Sequence, residues 1–200
     1  MLRVMRITGS GVERVTAALR EARPRAGRTR VVGVDGRSGA GKTSFAALLA
    51  GELGAPVVSL EGLYGGWDGL ERGIDLLVGE VLEPLAAQRD ARVPRYDWAA
   101  GTWAAPAPLA PPDALIVEGV GAGARRAAVF ESMVVWLETP RSVRKKRALD
   151  RDGETFAPYW DMWAAQEDAM LAAERTPERA DLVIDGVSGG VRRSRPGRTP

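Results

Sequence analysis

The stretch VVGVDGRSGAGKTSF, Val31 to Phe45, constrains the fold of this 200-residue chain more than any other. Valines dominate its first residues, which is typical of a fully buried parallel strand. Apolar residues at Phe45, Leu48 and Leu49 then recur with helical spacing, and Gly54 ends the pattern. The glycines in between weaken regular structure. The stretch therefore predicts a strand and a helix joined by a specialised glycine-rich loop.

The loop has the spacing of a phosphate-binding motif. Gly36 is followed, after four residues, by Gly41, Lys42 and Thr43. The glycines let successive backbone N–H groups turn inward around an anion, and the N-terminus of the following helix adds a partial positive charge. In such a loop the lysine bridges the β- and γ-phosphates of a nucleotide, and the hydroxyl ligates Mg²⁺. The alternative is an ordinary glycine-rich turn that carries a surface lysine.

This motif predicts a nucleoside triphosphate as the ligand, with ATP and Mg²⁺ as the cofactors. Lys42 is one of only three lysines in the chain, so its place in the loop is informative. Thr43 is the candidate metal ligand. We expect the nucleotide to contact the whole loop and the start of the helix, namely Gly36, Arg37, Ser38, Gly39, Ala40, Gly41, Lys42, Thr43 and Ser44.

The composition excludes several other kinds of site. The chain contains no cysteine and no histidine, so acid–base chemistry must come from carboxylates, and a disulfide framework is ruled out. The formal net charge of +2 is too close to balance for a general nucleic-acid binder. No apolar run is long enough for a signal peptide or a membrane span. We therefore expect a cytoplasmic protein without nucleic-acid or membrane partners.

Strands and helices alternate along the rest of the chain. Besides the first strand, four apolar runs predict buried strands: APVVSL, DALIVEG, SMVVWLET and ADLVIDG. Helical spacing predicts an amphipathic helix before the first strand and another from about Glu71 to Pro84, whereas AAPAPLAPP is typical of an extended connector. This alternation predicts an α/β fold in which helices cover both faces of a parallel sheet. We expect residues 1–29 to form the N-terminal helix and lead-in, 30–190 the main domain, and 191–200 a disordered basic tail.

Two carboxylates follow predicted strands, where open parallel sheets bind their ligands. Glu61 follows PVVSL and Glu118 follows ALIV. Glu118 is a candidate to ligate Mg²⁺ beside Thr43, and Glu61 could accept the proton of an attacking hydroxyl group. The alternative for both residues is a solvated charge at the end of a strand.

Five motifs in order resemble those of the uridine kinase and phosphoribulokinase family of P-loop kinases: VVGVDGRSGAGKT, VVSLEGLYGGWDGL, RYDWAAGTW, LIVEGVG and RKKRALDRDG. The resemblance covers residues 30–186 and is nearest to bacterial uridine kinase-like proteins. It implies a three-layer P-loop NTPase fold, with a five-stranded parallel sheet flanked by helices and a small arginine-rich lid at about residues 144–155. The implied activity is transfer of the γ-phosphate of ATP to a hydroxyl group of a small molecule, in the first place a nucleoside.

The resemblance also implies an acceptor site. Uridine kinases have an Asp-x-Phe-Tyr motif whose aspartate is the base, and the matching stretch here runs from Glu61 to Tyr64, with a carboxylate that is one methylene longer. Asp68 matches the region that holds the acceptor's ribose and is a rival for the base. The family's pyrimidine-reading histidine is absent, so the acceptor's identity stays open. The implied substrate-binding residues are Tyr64, Asp68, Tyr96, Asp97, Trp98 and Arg144, although alternating aromatic residues also occur in ordinary cores.

Arg144, Arg147 and Arg151 are spaced by three and four residues, which places them on one helix face. By default such a face is solvated, but the family's lid carries arginines at this spacing, and the resemblance implies catalytic roles for Arg147 and Arg151 with Gly153 as a hinge. It also suggests that the chain can form homodimers.

Two other functions remain open. One is a nucleoside monophosphate kinase, in which Arg72 or Arg95 would bind the acceptor's phosphate, and the other is an ATP-binding or ATP-hydrolysing module without an acceptor.

Overall fold

The structure is a computed structural model that describes residues 9–193 of the chain. Its centre is a sheet of six strands: β1 (Arg30–Asp35), β2 (Val57–Ser59), β5 (Ala114–Glu118), β6 (Met133–Glu138), β7 (Leu182–Asp185) and β8 (Val191–Arg193). Two further strands, β3 (Ala91–Asp97) and β4 (Thr102–Leu109), form a separate antiparallel pair.

The order of the central strands is β2-β5-β1-β6-β7-β8. β1 lies between β5 and β6, with Val32 opposite Ile116 on one side and Met133 on the other, and the first five strands in this order are parallel. The five predicted parallel strands are therefore confirmed. The carboxyl ends of β1, β2 and β5 meet at one edge of the sheet, which is where the predicted loop and the two strand-end glutamates belong.

Two segments differ from the sequence prediction. Val191–Arg193, which we expected in a disordered tail, form β8 and pair antiparallel with β7, so the sheet has a sixth strand. Residues 194–200, the rest of that tail, lie outside the described residues. The proline-rich run expected to be a connector is extended as predicted, but most of it forms β4, and the β3–β4 pair places Tyr96 opposite Trp103. Edge strands tolerate proline, because a missing N–H there costs no interior hydrogen bond.

Helices cover both faces of the central sheet. They are α1 (Gly9–Glu21), α2 (Lys42–Leu53), α3 (Leu70–Leu76), α4 (Glu83–Ala86), α5 (Arg125–Ala128), α6 (Arg141–Phe156), α7 (Trp160–Glu174) and α8 (Thr176–Arg179). Side chains of α1 and α2 pack in one core with Val32 and Val34, while α3 and α7 pack in the other core with Val31. Alternate residues of β1 thus point into opposite cores, and the fold has the three layers that we expected.

The helix expected from about Glu71 to Pro84 is present but changes its winding. α3 continues into a π-helix, Leu77–Leu82, and then into α4. In a π-helix residues five apart lie on one face, and Leu77 and Leu82 are both fully buried. Both leucines therefore pack in the same hydrophobic core.

Glu131, two residues before β6, carries a buried carboxyl group next to β1. Its residue is 1% exposed, and the carboxylate lies so close to Gly33 of β1 that an added Cβ there would collide with it. Among the described residues neither carboxylate oxygen has a hydrogen-bond partner. Burial raises the pKa of Glu131 well above its ordinary value, and Asp35 raises it further. The group is therefore most stable in its protonated form.

We expect Glu131→Gln to stabilise the protein increasingly as pH rises. The folded wild type retains a proton that the unfolded chain releases, so its free energy of unfolding falls as pH rises above the ordinary Glu value of 4.5. The slope is at most about 1.4 kcal/mol per pH unit, whereas the glutamine has no proton to lose. Urea unfolding of both proteins between about pH 5 and pH 9 measures the difference. Parallel curves for wild type and variant would contradict this account of Glu131.

Candidate active site

Asp35, the last residue of β1, anchors the start of the glycine-rich loop. It is fully buried, and its carboxylate accepts hydrogen bonds from the N–H groups of Gly36 at 2.7 Å and of Gly121 and Gly123 at 3.0 Å each. Burial raises the pKa of Asp35 to about 6, against the opposing effect of these hydrogen bonds and of Lys42. Asp35 thus joins the loop to the segment that follows β5, a role that the sequence did not indicate.

The loop itself needs glycine at three positions. Gly36 has φ of +153°, Gly39 of +77° and Gly41 of +105°, in the region that side chains disfavour. The N–H of Ala40 donates to the carbonyl of Arg37 at 3.0 Å, which closes a turn within the loop. Gly41 caps the N-terminus of α2, and no side-chain cap is present there in the described part of the chain. The first N–H groups of α2 therefore remain available to an anion.

We expect Gly39→Ala to destabilise the protein by about 1–3 kcal/mol and to weaken nucleotide binding, because a Cβ there adds backbone strain and collides with the carbonyl of Arg144. Gly51→Ala in α2 is the matched control. Nothing lies within 4 Å of its added Cβ, and alanine favours a helix, so this variant should be as stable as the wild type or more so. Thermal unfolding measures both variants. Equal melting temperatures for Gly39→Ala and wild type would contradict the loop geometry.

Lys42, the first residue of α2, lies buried against the loop. Its ammonium group donates to the carbonyl of Arg37 at 3.1 Å. Burial lowers the pKa of Lys42, while the charges of Glu118, Glu167 and Asp35 raise it. A cation held among carboxylates at the end of the loop is placed to meet an anionic ligand.

Thr43 and Glu118, the two predicted metal ligands, lie together. The hydroxyl of Thr43 donates to Oε2 of Glu118 at 3.3 Å, and the hydroxyl of Ser59, at the end of β2, donates to Oε1 at 2.5 Å. Among the described residues there is no cluster of three or more candidate metal-ligating acids. One carboxylate and one hydroxyl beside a phosphate loop nevertheless fit Mg²⁺, which keeps several waters and takes its other ligands from substrate phosphates.

A cavity of about 440 Å³ opens beside these residues. It is lined by residues of the glycine-rich loop and its neighbours, by Glu61 and by aromatic side chains. Of the predicted site residues, those that line it are Ser38, Lys42, Thr43, Glu61, Tyr64, Trp98, Glu118 and Arg151. Groups predicted separately for nucleotide, metal and acceptor thus border one continuous space.

Aromatic side chains form one wall of the cavity. The ring of Trp67 lies nearly parallel to those of Phe156, at 5.2 Å between centroids, and Tyr159, at 4.6 Å. Trp98 packs on Trp67 at 4.8 Å, and Trp163 meets Trp67 edge-on at 6.2 Å. We call Trp67, Trp98, Phe156 and Trp163, which all line the cavity, the aromatic wall.

Glu61 and Tyr64, which both line the cavity, have different environments. Glu61 lies in a short 3-10 helix, Leu60–Gly62, directly after β2, with an exposed side chain and a carbonyl that accepts the indole N–H of Trp98 at 2.9 Å. Tyr64 is buried, and its hydroxyl donates to the carbonyl of Val120 at 3.0 Å. Burial raises the pKa of Tyr64 well above its ordinary value. Tyr64 therefore supports the cavity as a neutral side chain, while Glu61 is the accessible carboxylate.

Asp68, Tyr96 and Asp97 are not among the residues that line the cavity. The carboxylate of Asp97 accepts the N–H groups of Ala99 and Ala100 at 3.0 Å each, so it stabilises the turn between β3 and β4. Tyr96 packs edge-on against Trp98 and Trp103, and Asp68 is exposed. We expected all three to contact the acceptor, but the structure places none of them at the cavity, which their neighbour Trp98 does line.

The three lid arginines lie on α6 but reach different places. Arg144, expected at the acceptor, is 7% exposed and donates to the carbonyls of Ser38 and Thr139 at 3.1 Å each, so it supports the nucleotide loop. Arg147 donates to the carbonyl of Gly186 at 3.1 Å, and Arg151 lines the cavity. Gly153, the expected hinge, has φ of +53° and ψ of −133°, which breaks the helical conformation near the end of α6.

Besides Asp35, the sequence interpretation missed several residues that line or support the cavity, among them Ser59, Phe156, Trp163 and Glu167. Ser59 ends an apolar strand two residues before Glu61, and this position at the ligand-binding edge could have indicated it. Trp163 and Glu167 are four residues apart and therefore lie on one helix face. That spacing is also typical of a core helix, so only the fold shows what they contact.

Solved structures share this fold. A structure described as a possible uridine kinase from Bacillus stearothermophilus is 21% identical, with the match covering 88% of this chain and 98% of the other at a TM-score of 0.66. A candidate fructose transport system kinase from Silicibacter sp. TM1040 is also 21% identical, with coverage of 84% and 94% and a TM-score of 0.54. No protein-family model matches the chain, and no curated protein is significantly similar to it. At these identities the likeness establishes the fold alone, which is the three-layer α/β fold that we predicted.

Within residues 9–193, none of the helices combines the length and the hydropathy that crossing a membrane requires.

Proposed function

We propose that the protein is an ATP-dependent phosphotransferase that moves the γ-phosphate of ATP to a hydroxyl group of a small molecule, with nucleosides as the first acceptor class. The observation that carries this proposal is the single cavity that runs from Lys42 and Thr43 to Glu61 and the aromatic wall. A loop that only bound or hydrolysed ATP would not need an accessible carboxylate and an aromatic wall in the same cavity. Phosphoryl transfer to an alcohol uses both, since it depends on positioning the acceptor and removing its proton.

In the proposed reaction the loop amides and Lys42 bind the triphosphate. Thr43 and Glu118 would hold Mg²⁺, which when bound neutralises part of the phosphate charge. Glu61 orients the acceptor hydroxyl and takes its proton as the oxygen–phosphorus bond forms, and ADP leaves. Arg151, the lid arginine at the cavity, stabilises charge on the transferred phosphoryl group.

Glu61 is favoured over Asp68 as the base because it lines the cavity and Asp68 does not. The backbone of Glu61 is held by Ser59, whose hydroxyl accepts the Glu61 N–H at 3.4 Å at the start of the 3-10 helix. The same hydroxyl donates to Glu118, so base and metal ligand are tied to one residue.

An uncharged acceptor is favoured over a nucleoside monophosphate. Arg72, one candidate for binding an acceptor phosphate, stacks over Trp103 at 5.8 Å and faces a different cavity. Arg95, the other candidate, is exposed on β3 and does not line the active-site cavity. The cations that do line it, Lys42 and Arg151, are both assigned to the phosphates of ATP. The aromatic wall supports a flat ring on the acceptor.

The experiment is an ADP-release assay with Mg²⁺ and ATP against a panel of nucleosides, nucleoside monophosphates, sugars and vitamins. Release stimulated by an uncharged hydroxyl compound supports the proposal, and Glu61→Gln should suppress that stimulation. Stimulation by monophosphates alone would select a nucleoside monophosphate kinase. Release that is indifferent to every acceptor would identify an ATP-hydrolysing module instead.

A further inference from the structure

Glu167 is a buried carboxylate that the proposed reaction does not use. It lies on α7 and is 1% exposed, although glutamate is among the residues least often buried. Its Oε1 accepts the backbone N–H of Ser38 at 2.8 Å and the indole N–H of Trp163 at 3.1 Å. The bond to Ser38 joins residues 129 positions apart in the chain. A buried charge with two donors aimed at one oxygen is a built contact, because an unpaired charge there would be strongly disfavoured.

Trp163, one helical turn before Glu167 on α7, also contacts Ser38. Its indole N–H lies 2.9 Å from the hydroxyl of Ser38 as well as 3.1 Å from Glu167, so it is shared between the two acceptors. Ser38 is therefore held twice from α7, through its backbone by Glu167 and through its side chain by Trp163. Arg37, the preceding residue of the loop, pairs with Glu167 at 3.8 Å and with the exposed Asp168 at 2.6 Å.

The carboxylate supports the loop from behind and does not occupy the phosphate position. Ser38 and Trp163 line the cavity, whereas Glu167 does not. Its contact is at the Ser38 end of the loop, while Lys42 and Thr43 face the cavity from the other end. A triphosphate that enters the cavity would thus meet a loop that is already fixed at Ser38.

We propose that Glu167 is a positioning residue that holds the nucleotide loop in its phosphate-binding conformation before ATP arrives, with Trp163 as its partner. This inference rests on the proposed function, since it assigns the loop to ATP. Fixing the loop in advance removes conformational entropy that binding would otherwise have to overcome, and this strengthens binding without a new contact to the ligand.

The same helix extends this support to the acceptor side. Trp163 packs edge-on against Tyr64 at 5.0 Å, and Gln166 donates to the carbonyl of Trp67 at 2.7 Å. One face of α7 therefore fixes the position of the nucleotide loop relative to the aromatic wall. Such spacing decides whether a bound hydroxyl group lies within reach of the γ-phosphate.

The test compares Glu167→Gln with Glu167→Met, two side chains of similar length that differ in whether they offer an acceptor oxygen. Glu167→Gln should keep the loop in place and bind Mg²⁺ with a non-hydrolysable ATP analogue within about 3-fold of wild type. Glu167→Met should bind the analogue about 10-fold more weakly. Calorimetry gives the affinities. Hydrogen exchange followed by NMR gives the protection of the Ser38 amide, which should persist in the glutamine variant and be lost in the methionine variant.

Asp168→Asn is the matched control, because Asp168 is the next residue and touches the loop only through its exposed pair with Arg37. It should leave both the affinity and the Ser38 protection unchanged. If Glu167→Met does not fold, Glu167→Asp takes its place. Its shorter side chain moves the carboxylate oxygen away from the Ser38 N–H, so the variant should show the same losses of affinity and of Ser38 protection. Equal affinity and equal Ser38 protection in the glutamine and methionine variants would overturn the inference. A wild type that binds no ATP analogue but still protects Ser38 would instead count against the proposed function.

Discussion

Replacing Lys42 with methionine is expected to lower kcat/KM for acceptor-dependent ADP formation by about 10³-fold, the upper range for removing one fixed donor from a developing oxyanion. The ammonium group lies at the end of the loop, where the β- and γ-phosphates are proposed to bind, and it is held in a buried site. In surroundings that exclude water, its charge stabilises the transferred phosphoryl group more than an exposed lysine could. Methionine keeps the length and apolar stem of lysine but removes the charge.

The fold should survive this change, because methionine removes a cation that burial disfavours. Lys146→Met is the matched control. Lys146 is exposed on α6 and pairs with Asp150 four residues away at 2.8 Å, so its loss should leave kcat/KM and the melting temperature nearly unchanged. Steady-state kinetics with the best acceptor and thermal unfolding measure both variants. A Lys42→Met protein that retained the wild-type rate would contradict the assignment of the loop.

Replacing Glu61 with glutamine is expected to lower kcat by about 10²- to 10⁴-fold, the usual contribution of a general base. Affinity for ATP should stay within about 3-fold of wild type, because Glu61 lies at the acceptor end of the cavity and the amide has a similar size. The measurement is kcat with the best acceptor, together with the dissociation constant of the ATP analogue. A large loss of kcat with an unchanged dissociation constant for the ATP analogue is expected of a group that acts on the acceptor.

Asp68→Asn is the comparison that distinguishes the two candidate bases. Asp68 is exposed and does not line the cavity, so the substitution should change kcat by less than about 3-fold. A larger loss in Asp68→Asn than in Glu61→Gln would assign the base to Asp68. It would also mean that the segment after β2 moves when the acceptor binds.

The sequence predicted the strand, the glycine-rich loop and the helix because the requirements of that loop are local. Glycines with positive φ, a lysine and a hydroxyl must follow one strand and precede one helix, and all of these lie within fifteen consecutive letters of the sequence. The five parallel strands were predicted for a similar reason, since short runs rich in valine, leucine and isoleucine indicate burial on both faces. Thr43 and Glu118 were paired because carboxyl ends of neighbouring parallel strands meet at one edge.

The rest of the site depends on contacts that no local pattern shows. Glu167 reaches Ser38 across most of the chain, and its spacing from Trp163 is the same as that of an ordinary core helix. The resemblance placed Arg144 on the acceptor, yet the fold turns its side chain toward the loop carbonyl of Ser38. Asp97 was assigned from a motif, but the tight turn after β3 uses its carboxylate. Side chains at a turn or on a packed helix hydrogen-bond to the nearest backbone groups. Sequence spacing alone does not identify those groups.

The most direct test of the account is a calorimetric titration of the wild-type protein with ATP analogue, ADP and AMP in the presence of Mg²⁺. The central claim is that the loop from Gly36 to Thr43 binds a polyphosphate through inward-facing N–H groups and Lys42. It predicts one site per chain and affinities that fall from the triphosphate to ADP and, more steeply, to AMP, which lacks the phosphates that the loop would hold. Equal affinities for all three nucleotides, or no binding of the triphosphate, would contradict it.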